Sequence, residues 1–446
     1  MKRIQQICLN AEKHRQLIFD AHDYIWNHAE SGFREWETSR YLECAFEKLG
    51  YTLKKAGNIP GFYTDVDTGR PGPKVLILGE LDALIIPSHP ESRSDTNCVH
   101  ACGHHAQAAA LLGIAAALKE PDALKGLCGS IRLMAVPAEE LTEIDYREEL
   151  RQTGVIRYFG GKQEFLARGY MDGCDLAFMV HTGYGMEKKK FGAPNRGDNG
   201  CVIKTARFSG RSAHVGNSPH LMVNALAAMN LAINNINALR ETFLEKDYVR
   251  IQIDYAGGDM VSGVIQMKIR ASTMEVIHRI NQQVNRALAC GAAAVGATVA
   301  ISDRMGYSPL RNDPSLSELF CKAAALLDPE HPVRPGTSWS AACTDLGDLS
   351  GLMPVVHPYC KGAAKRAHTE NYRIGSVEMA CVNSAKLQLV MLQLLLENDA
   401  AAAKEILKNY VPVYKSKAAY LAELDLLMSD KEAVSVCEDG TLTLSF

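Results

Sequence analysis

The sequence predicts an α/β protein: a main domain with a mostly parallel sheet and helices on both faces, interrupted by a ferredoxin-like α+β insertion. Three observations lead there. Short apolar runs at Val75–Leu78, Ile131–Val136 and Leu176–Val180 alternate with helical patterns. Strands that are apolar on both faces need a helical layer on each side, the arrangement of a parallel sheet. Between about residues 194 and 305 the order becomes β-α-β-β-α-β, and from Tyr307 the first pattern resumes.

Taken in order, residues 11–50 carry apolar positions at helical spacing (Leu17, Ile18, Ala21, Tyr24, Ile25, then Tyr41, Leu42, Ala45, Phe46) and stop at Gly50. An Ala/Leu-rich helix, Ala106–Lys119, separates the first two buried strands and ends before Pro121. In the insertion, strand Cys201–Ser209 leads to a helix over about Pro219–Glu241, with Ser218 as N-cap and Pro219 at the first helical position. Strands Val249–Ile253 and Gly263–Ala271, helix Met274–Gly291 and strand Ala297–Asp303 complete it. The last long helix spans Ile374–Leu396, and the tail after residue 400 adds a helix and a hairpin around Glu438–Gly440. The expected division is 1–193 and 306–446 for the main domain and 194–305 for the insertion.

Composition narrows the class. The chain has 446 residues, 47% of them hydrophobic, a formal net charge of -3 and 13 cysteines without even spacing. The charge offers no basic surface for nucleic acid or an anionic membrane. No run of about 18 apolar residues suggests a membrane span, and the charged N-terminus lacks a signal-peptide core. Unpaired cysteines fit a reducing, cytoplasmic setting.

The chemistry lies where polar residues follow strands. The first buried strand runs into Glu80 and Asp82, the second into Glu139 and Glu140, the third into His181. In an open parallel sheet these carboxyl ends share one edge, where ligands bind. The loop His100-Ala101-Cys102-Gly103-His104-His105 precedes the Ala-rich helix. Gly103 relaxes that loop enough for the Cys102 sulfur and the His104 ring to converge, and the helix N-terminus favours a thiolate. Thiolate, imidazole and carboxylate together suit zinc or another late first-row divalent ion. Of the adjacent glutamates, one can hold metal while its neighbour takes a proton from an attacking water.

The segments GELDAL (79–84), HACGHH (100–105), VPAEE (136–140), HTG (181–183), FSGRSAHVGNSP (208–219), CTDLGD (343–348) and AHTENY (367–372) resemble the M20 family of metallopeptidases. The likeness is nearest to its aminoacylase/amidohydrolase branch, that of the aminobenzoyl-glutamate and auxin-conjugate hydrolases. It covers about residues 15–395 in the family's order. The resemblance implies one or two divalent ions, zinc or manganese, held by Cys102, His104, Glu140, His181 and His368, with Glu139 as general base. It also implies that the insertion is a lid through which the chain forms a homodimer. His214, on a turn after a strand, would stabilise the oxyanion, and Asn217 and Arg270 are candidates for binding a substrate carboxylate.

The chain departs from its relatives at several places. His105 and Gln107 stand where many have Asp or Asn and a further His; His105 is expected behind the ligands. Gly263-Val264-Ile265-Gln266 replaces Asn-Val-Ile-Pro. Glu80 stands where more distant relatives have a metal-binding His, and Asp82 where they have the Asp that orients it. The expected activity is hydrolysis of small N-acyl amino acids, aminobenzoyl-glutamate-like amides or dipeptides. A serine hydrolase is disfavoured because no G-x-S-x-G follows a strand, and a nucleotide enzyme because neither phosphate-binding glycine motif occurs. The alternative is a catalytically silent relative that binds metal or a small ligand.

Overall fold

The computed structural model describes residues 2–437, 439 and 441–445. Two compact units emerge, and each interleaves along the chain. The first comprises 1–197, 311–338 and 348–414; the second comprises 198–310, 339–347 and 415–446.

The first unit is organised by a six-stranded sheet in the order Lys54–Lys55, Phe62–Asp67, Ser130–Val136, Lys74–Glu80, Leu176–Phe178, Val355–Val356. The last three pairings are parallel and the first two antiparallel. Strands Lys74–Glu80 and Ser130–Val136 are buried along nearly their whole length, which explains their apolar sequences. Each fully buried Leu or Ile side chain there contributes roughly 1.5–3 kcal/mol by removal from water. Helix His104–Leu118 is buried on every side, so its near-uniform Ala/Leu/Ile composition carries no polar face. The core also takes in the helices Lys2–Lys13, Arg15–Asn27, Pro314–Leu327 and Ser384–Asn409.

The final helix of this unit differs from its periodicity. It opens at Glu378 with a π-helical turn to Asn383, then runs Ser384–Asn409 with a break at Glu397–Ala400, where three residues take left-handed backbone. By length and composition Glu378–Asn409 could cross a membrane, yet 78% of its apolar window is buried inside the protein. Packing against the unit's own core accounts for its apolarity.

The second unit is a six-stranded sheet in the order Arg250–Gly258, Ser262–Ala271, Gly200–Ser209, Thr298–Tyr307, Ser429–Val436, Leu442–Leu444, all antiparallel. Helices Ala225–Leu239 and Met274–Ala293 pack on it. Here the expected helix start is corrected. Pro219–Leu221 forms only a 3-10 turn, Ser218 makes no side-chain cap, and Asn224 caps the helix by accepting from the Ala227 amide at 3.1 Å. The tail contributes helix Lys417–Asp425 and two strands that extend the sheet beyond Thr298–Tyr307, so it joins this unit and not the first. Glu438 and Gly440, at the expected hairpin turn, lie outside the described residues; the strands on either side pair from Val436↔Leu442.

Candidate metal centre

All of the strand-end residues singled out by sequence lie in the first unit. Glu80 ends strand Lys74–Glu80, Asp82 follows it, and Ala138-Glu139-Glu140 follows strand Ser130–Val136. Cys102 and His104 flank Gly103, whose φ of 98° begins helix His104–Leu118. A Cβ at Gly103 would lie 2.6 Å from the Tyr372 hydroxyl and 3.1 Å from Thr182 Oγ1. Only glycine allows both the left-handed turn and that approach, and the turn is what brings Cys102 back over the helix start.

The donors converge. Cys102 Sγ is 3.4 Å from His181 Nε2 and 3.4 Å from His368 Nε2, and His368 Nε2 is 3.1 Å from Glu140 Oε1. Three groups each offer ligand atoms within 4.8 Å of one another: Cys102, His104 and His181; Cys102, Glu140 and His368; Glu80, His104 and Glu139. The first two share the Cys102 sulfur. A thiolate common to two triads could serve two divalent ions.

The imidazoles are oriented from behind. His104 Nδ1 faces the Asp82 carbonyl at 2.9 Å and its carboxylate at 3.0 Å, which leaves Nε2 turned to the donor cluster. The other Asp82 oxygen accepts from the Glu140 amide at 2.7 Å, so one carboxylate positions two donors. His181 Nδ1 faces the Thr182 carbonyl at 3.1 Å. His368 sits at φ 62°, its amide donating to the Ala101 carbonyl at 2.9 Å; it is the most exposed donor, at the mouth of the site.

Electrostatics test whether a cation fits. Burial and Glu140 push the Cys102 thiol up, but His104 and His181 outweigh them and bring it to about 6. Glu140 raises His368 to about 11, against burial. Burial opposes ionisation of Glu140, yet His368 holds its carboxyl down at about 2. His104 is likewise raised by Cys102, Glu80 and Asp82 despite burial. The cluster therefore demands positive charge, and protons on the imidazoles are its substitute for a dication. His104 Nε2 and Glu140 Oε1 are buried with no well-formed hydrogen bond, as donors to an ion would be. The residues fit a divalent metal.

Several neighbours were not singled out by sequence. Glu35, fully buried, accepts the Ala138 amide at 2.8 Å and props the loop bearing Glu139 and Glu140. Arg147, also fully buried, donates to the carbonyls of Thr142 and Glu140 in the same loop and to that of Phe159, just before helix Gly161–Ala167. His357 follows strand Val355–Val356 and packs edge-on to His181 with ring centroids 5.6 Å apart. A histidine directly after an apolar Val-Val pair was the available cue. Lys162 reaches Glu80 from helix Gly161–Ala167.

His105 does not join the donors. One residue along a helix is a turn of about 100°, and its ring packs instead against His22, His100 and Trp26 at centroid distances of 4.7, 5.2 and 4.9 Å. It thus makes no hydrogen bond to a ligand, contrary to the place expected for it behind them. Burial lowers the basicity of all three histidines, His100 to about 3. Their unfolded values lie near 6.5, so the folded state excludes protons that the unfolded chain binds. Stability is complete above that pH and is lost as pH falls, for His100 from 6.5 toward about 3. At pH 5 His100 should cost about 2 kcal/mol. Denaturant unfolding at pH 7 and pH 5 should show this loss, and His105→Asn should remove one histidine's share of the difference; an unchanged difference would contradict the assignment.

His214, Asn217 and Arg270 lie in the second unit. His214 is exposed on the turn after strand Gly200–Ser209, and its Nδ1 accepts the Asn217 amide at 3.0 Å. Arg270 is half-buried on strand Ser262–Ala271, opposite Cys201, with a buried Nε that has no hydrogen-bond partner.

Comparison with known proteins gives a consistent set. The model of peptidase family M20/M25/M40 matches residues 76–390. A p-aminobenzoyl-glutamate hydrolase subunit of Escherichia coli is 30% identical over 301 residues, 64% of this chain and 57% of that protein. The IAA-amino acid hydrolase ILR1-like 4 of Arabidopsis thaliana is 24% identical over 66% of each chain. A dinuclear metal-binding peptidase of the M20 family from Bacillus subtilis superposes with a TM-score of 0.64 at 17% identity, covering 86% of this chain and 99% of that one.

Proposed function

Because the chain belongs to peptidase family M20/M25/M40, we propose that it is a metal-dependent amidohydrolase acting on small N-acyl amino acids, aminobenzoyl-glutamate-like amides or dipeptides. The observation that carries this reading is the pair of donor triads sharing Cys102, with Glu139 beside them. Cys102, His104 and His181 would hold one ion, and Cys102, Glu140 and His368 the other. The thiolate and imidazoles favour zinc, and the carboxylates admit manganese. When bound, the ions would polarise the scissile carbonyl and lower the pKa of a water.

The chain's own residues supply the rest. Glu139 is buried, with Oε2 4.0 Å from His104 Nε2, so its carboxylate stands at the donor cluster while its neighbour Glu140 is held by His368. It takes the proton of the attacking water and returns it to the leaving amine. Since His214 Nδ1 accepts an amide proton, its neutral ring carries hydrogen on Nε2, the form that donates to an oxyanion. Arg270 is the candidate for a substrate carboxylate, and Asn217 fixes the His214 turn through its backbone.

Two wider readings belong to the same proposal. A homodimer through the second unit is supported by its uncovered edge strand Arg250–Gly258 and by exposed Tyr255, Leu226 and Leu231. A cytoplasmic location is supported by thirteen unpaired cysteines.

The test is a panel of N-acyl amino acids, aminobenzoyl-glutamate and dipeptides assayed together with metal analysis. Hydrolysis of at least one class, dependent on bound metal, is expected. Bound metal without hydrolysis across the panel would favour a silent metal-binding relative.

A further inference from the structure

Glu80 is a further carboxylate at the metal centre that the proposed ligand set does not use. It is 1% exposed, and its Oε2 lies 3.2 Å from His104 Nε2, the nitrogen expected to face an ion. With His104 and Glu139 it forms a donor group of its own. Released from the donors that now occupy both its oxygens, a carboxylate at this place would be a competent ligand for a divalent ion. Bound to the metal, it would fill a position that a hydrolytic centre keeps open for water and substrate.

Two contacts hold it. Lys162 Nζ donates to Glu80 Oε1 at 2.6 Å, and Gln107 Nε2 donates to Oε2 at 2.9 Å. Lys162 is 0% exposed, so this is a fully buried ion pair. Such a pair stabilises little, because desolvation offsets the attraction, and an apolar pair of the same volume would fill the space as well. Its presence calls for another reason. The ammonium is also fixed in place: a Cβ on the preceding Gly161 would lie 1.6 Å from the Pro137 carbonyl, and the Gly161 amide donates to the Ala138 carbonyl at 3.2 Å. Lys162 is thereby keyed to the loop that carries Glu139 and Glu140.

We infer that Lys162, helped by Gln107, is a positioning residue that holds Glu80 out of the metal's coordination sphere and so preserves the open position. This rests on the reading of the site as a metal centre. Removing the ammonium frees a carboxylate within reach of the ion and deletes a nearby positive charge; both effects tighten metal binding while impairing turnover. A merely structural lysine predicts the opposite, a loosened site that loses metal.

The experiment uses the full chain loaded with Co2+, following its visible spectrum and its release to a chelator. Lys162→Met should release cobalt about tenfold more slowly than the wild type, the scale of effects from groups behind metal ligands, with weaker visible bands as coordination number rises. The double variant Lys162→Met/Glu80→Gln removes both charges of the Lys162–Glu80 pair together. It should show the wild-type cobalt spectrum, because Glu80 is not a ligand in the wild type. Release from Lys162→Met as fast as or faster than from the wild type would overturn the inference. So would an altered spectrum of the double variant, which remains decisive even if the single variant does not fold. Wild-type protein that takes up no cobalt would overturn the metal centre itself, and shows this before any variant is compared.

Discussion

Replacing Glu139 by Gln is expected to leave the metal content unchanged and to reduce hydrolysis by about a thousandfold or more, toward the upper end of what a general base contributes. Retention of metal follows from the geometry: neither triad that shares Cys102 contains Glu139. Loss of rate follows from the chemistry, since an amide oxygen or nitrogen cannot take the water's proton. The amide keeps the size of the carboxylate, so the loop held by Glu35 and Arg147 should stay in place. Metal analysis and steady-state kinetics on the same preparation check both halves. A variant that hydrolyses at near the wild-type rate would remove Glu139 from the mechanism.

Substituting Cys102 by Ser should have the second large effect. The Cys102 sulfur belongs to both triads, and His104 and His181 bring its thiol to about 6, against burial and Glu140. A serine hydroxyl stays protonated at neutral pH and is a poor bridge. Both ions should therefore bind weakly, and activity should fall by about a thousandfold or more, because the attacking water would no longer have its pKa lowered toward about 7. The measurement is metal stoichiometry after dialysis, paired with turnover at saturating metal. Wild-type stoichiometry in the serine variant would contradict a shared thiolate. Loss of only one ion would assign the sulfur to a single triad.

Much of this site was legible in the sequence alone. Glu80, Asp82, Glu139, Glu140 and His181 stand directly after apolar strands, and a strand's end is where a parallel sheet presents ligands. Cys102 and His104 were legible because glycine between them announces a turn. His368 had no such local cue; only the likeness to a family pointed to it, and its left-handed backbone depends on contacts from elsewhere in the chain. Lys162, Glu35 and Arg147 were not legible at all. Each is a charged residue in an ordinary helical or loop setting, and its burial is decided by tertiary packing that periodicity does not report.

The same limit shaped the fold. Ser218-Pro219 has the composition of a helix start, yet Asn224 captures the cap and the first residues form only a 3-10 turn. The tail's strands alternate too weakly to name their partner, and sheet extension onto Thr298–Tyr307 decided where they belong. His105 reads as a neighbour of the metal because it adjoins His104 in sequence. One residue of helical rotation places it in a separate aromatic cluster.

A pair of divalent ions, gathered by Cys102, His104, Glu140, His181 and His368, is expected to make this chain a hydrolase. The most direct test is metal titration of chelator-stripped wild-type protein, with metal content and amide hydrolysis read at each step. The prediction is no hydrolysis in the stripped protein and recovery that completes at two ions per chain. Hydrolysis that persists in the stripped protein at the rate of the loaded one would contradict it.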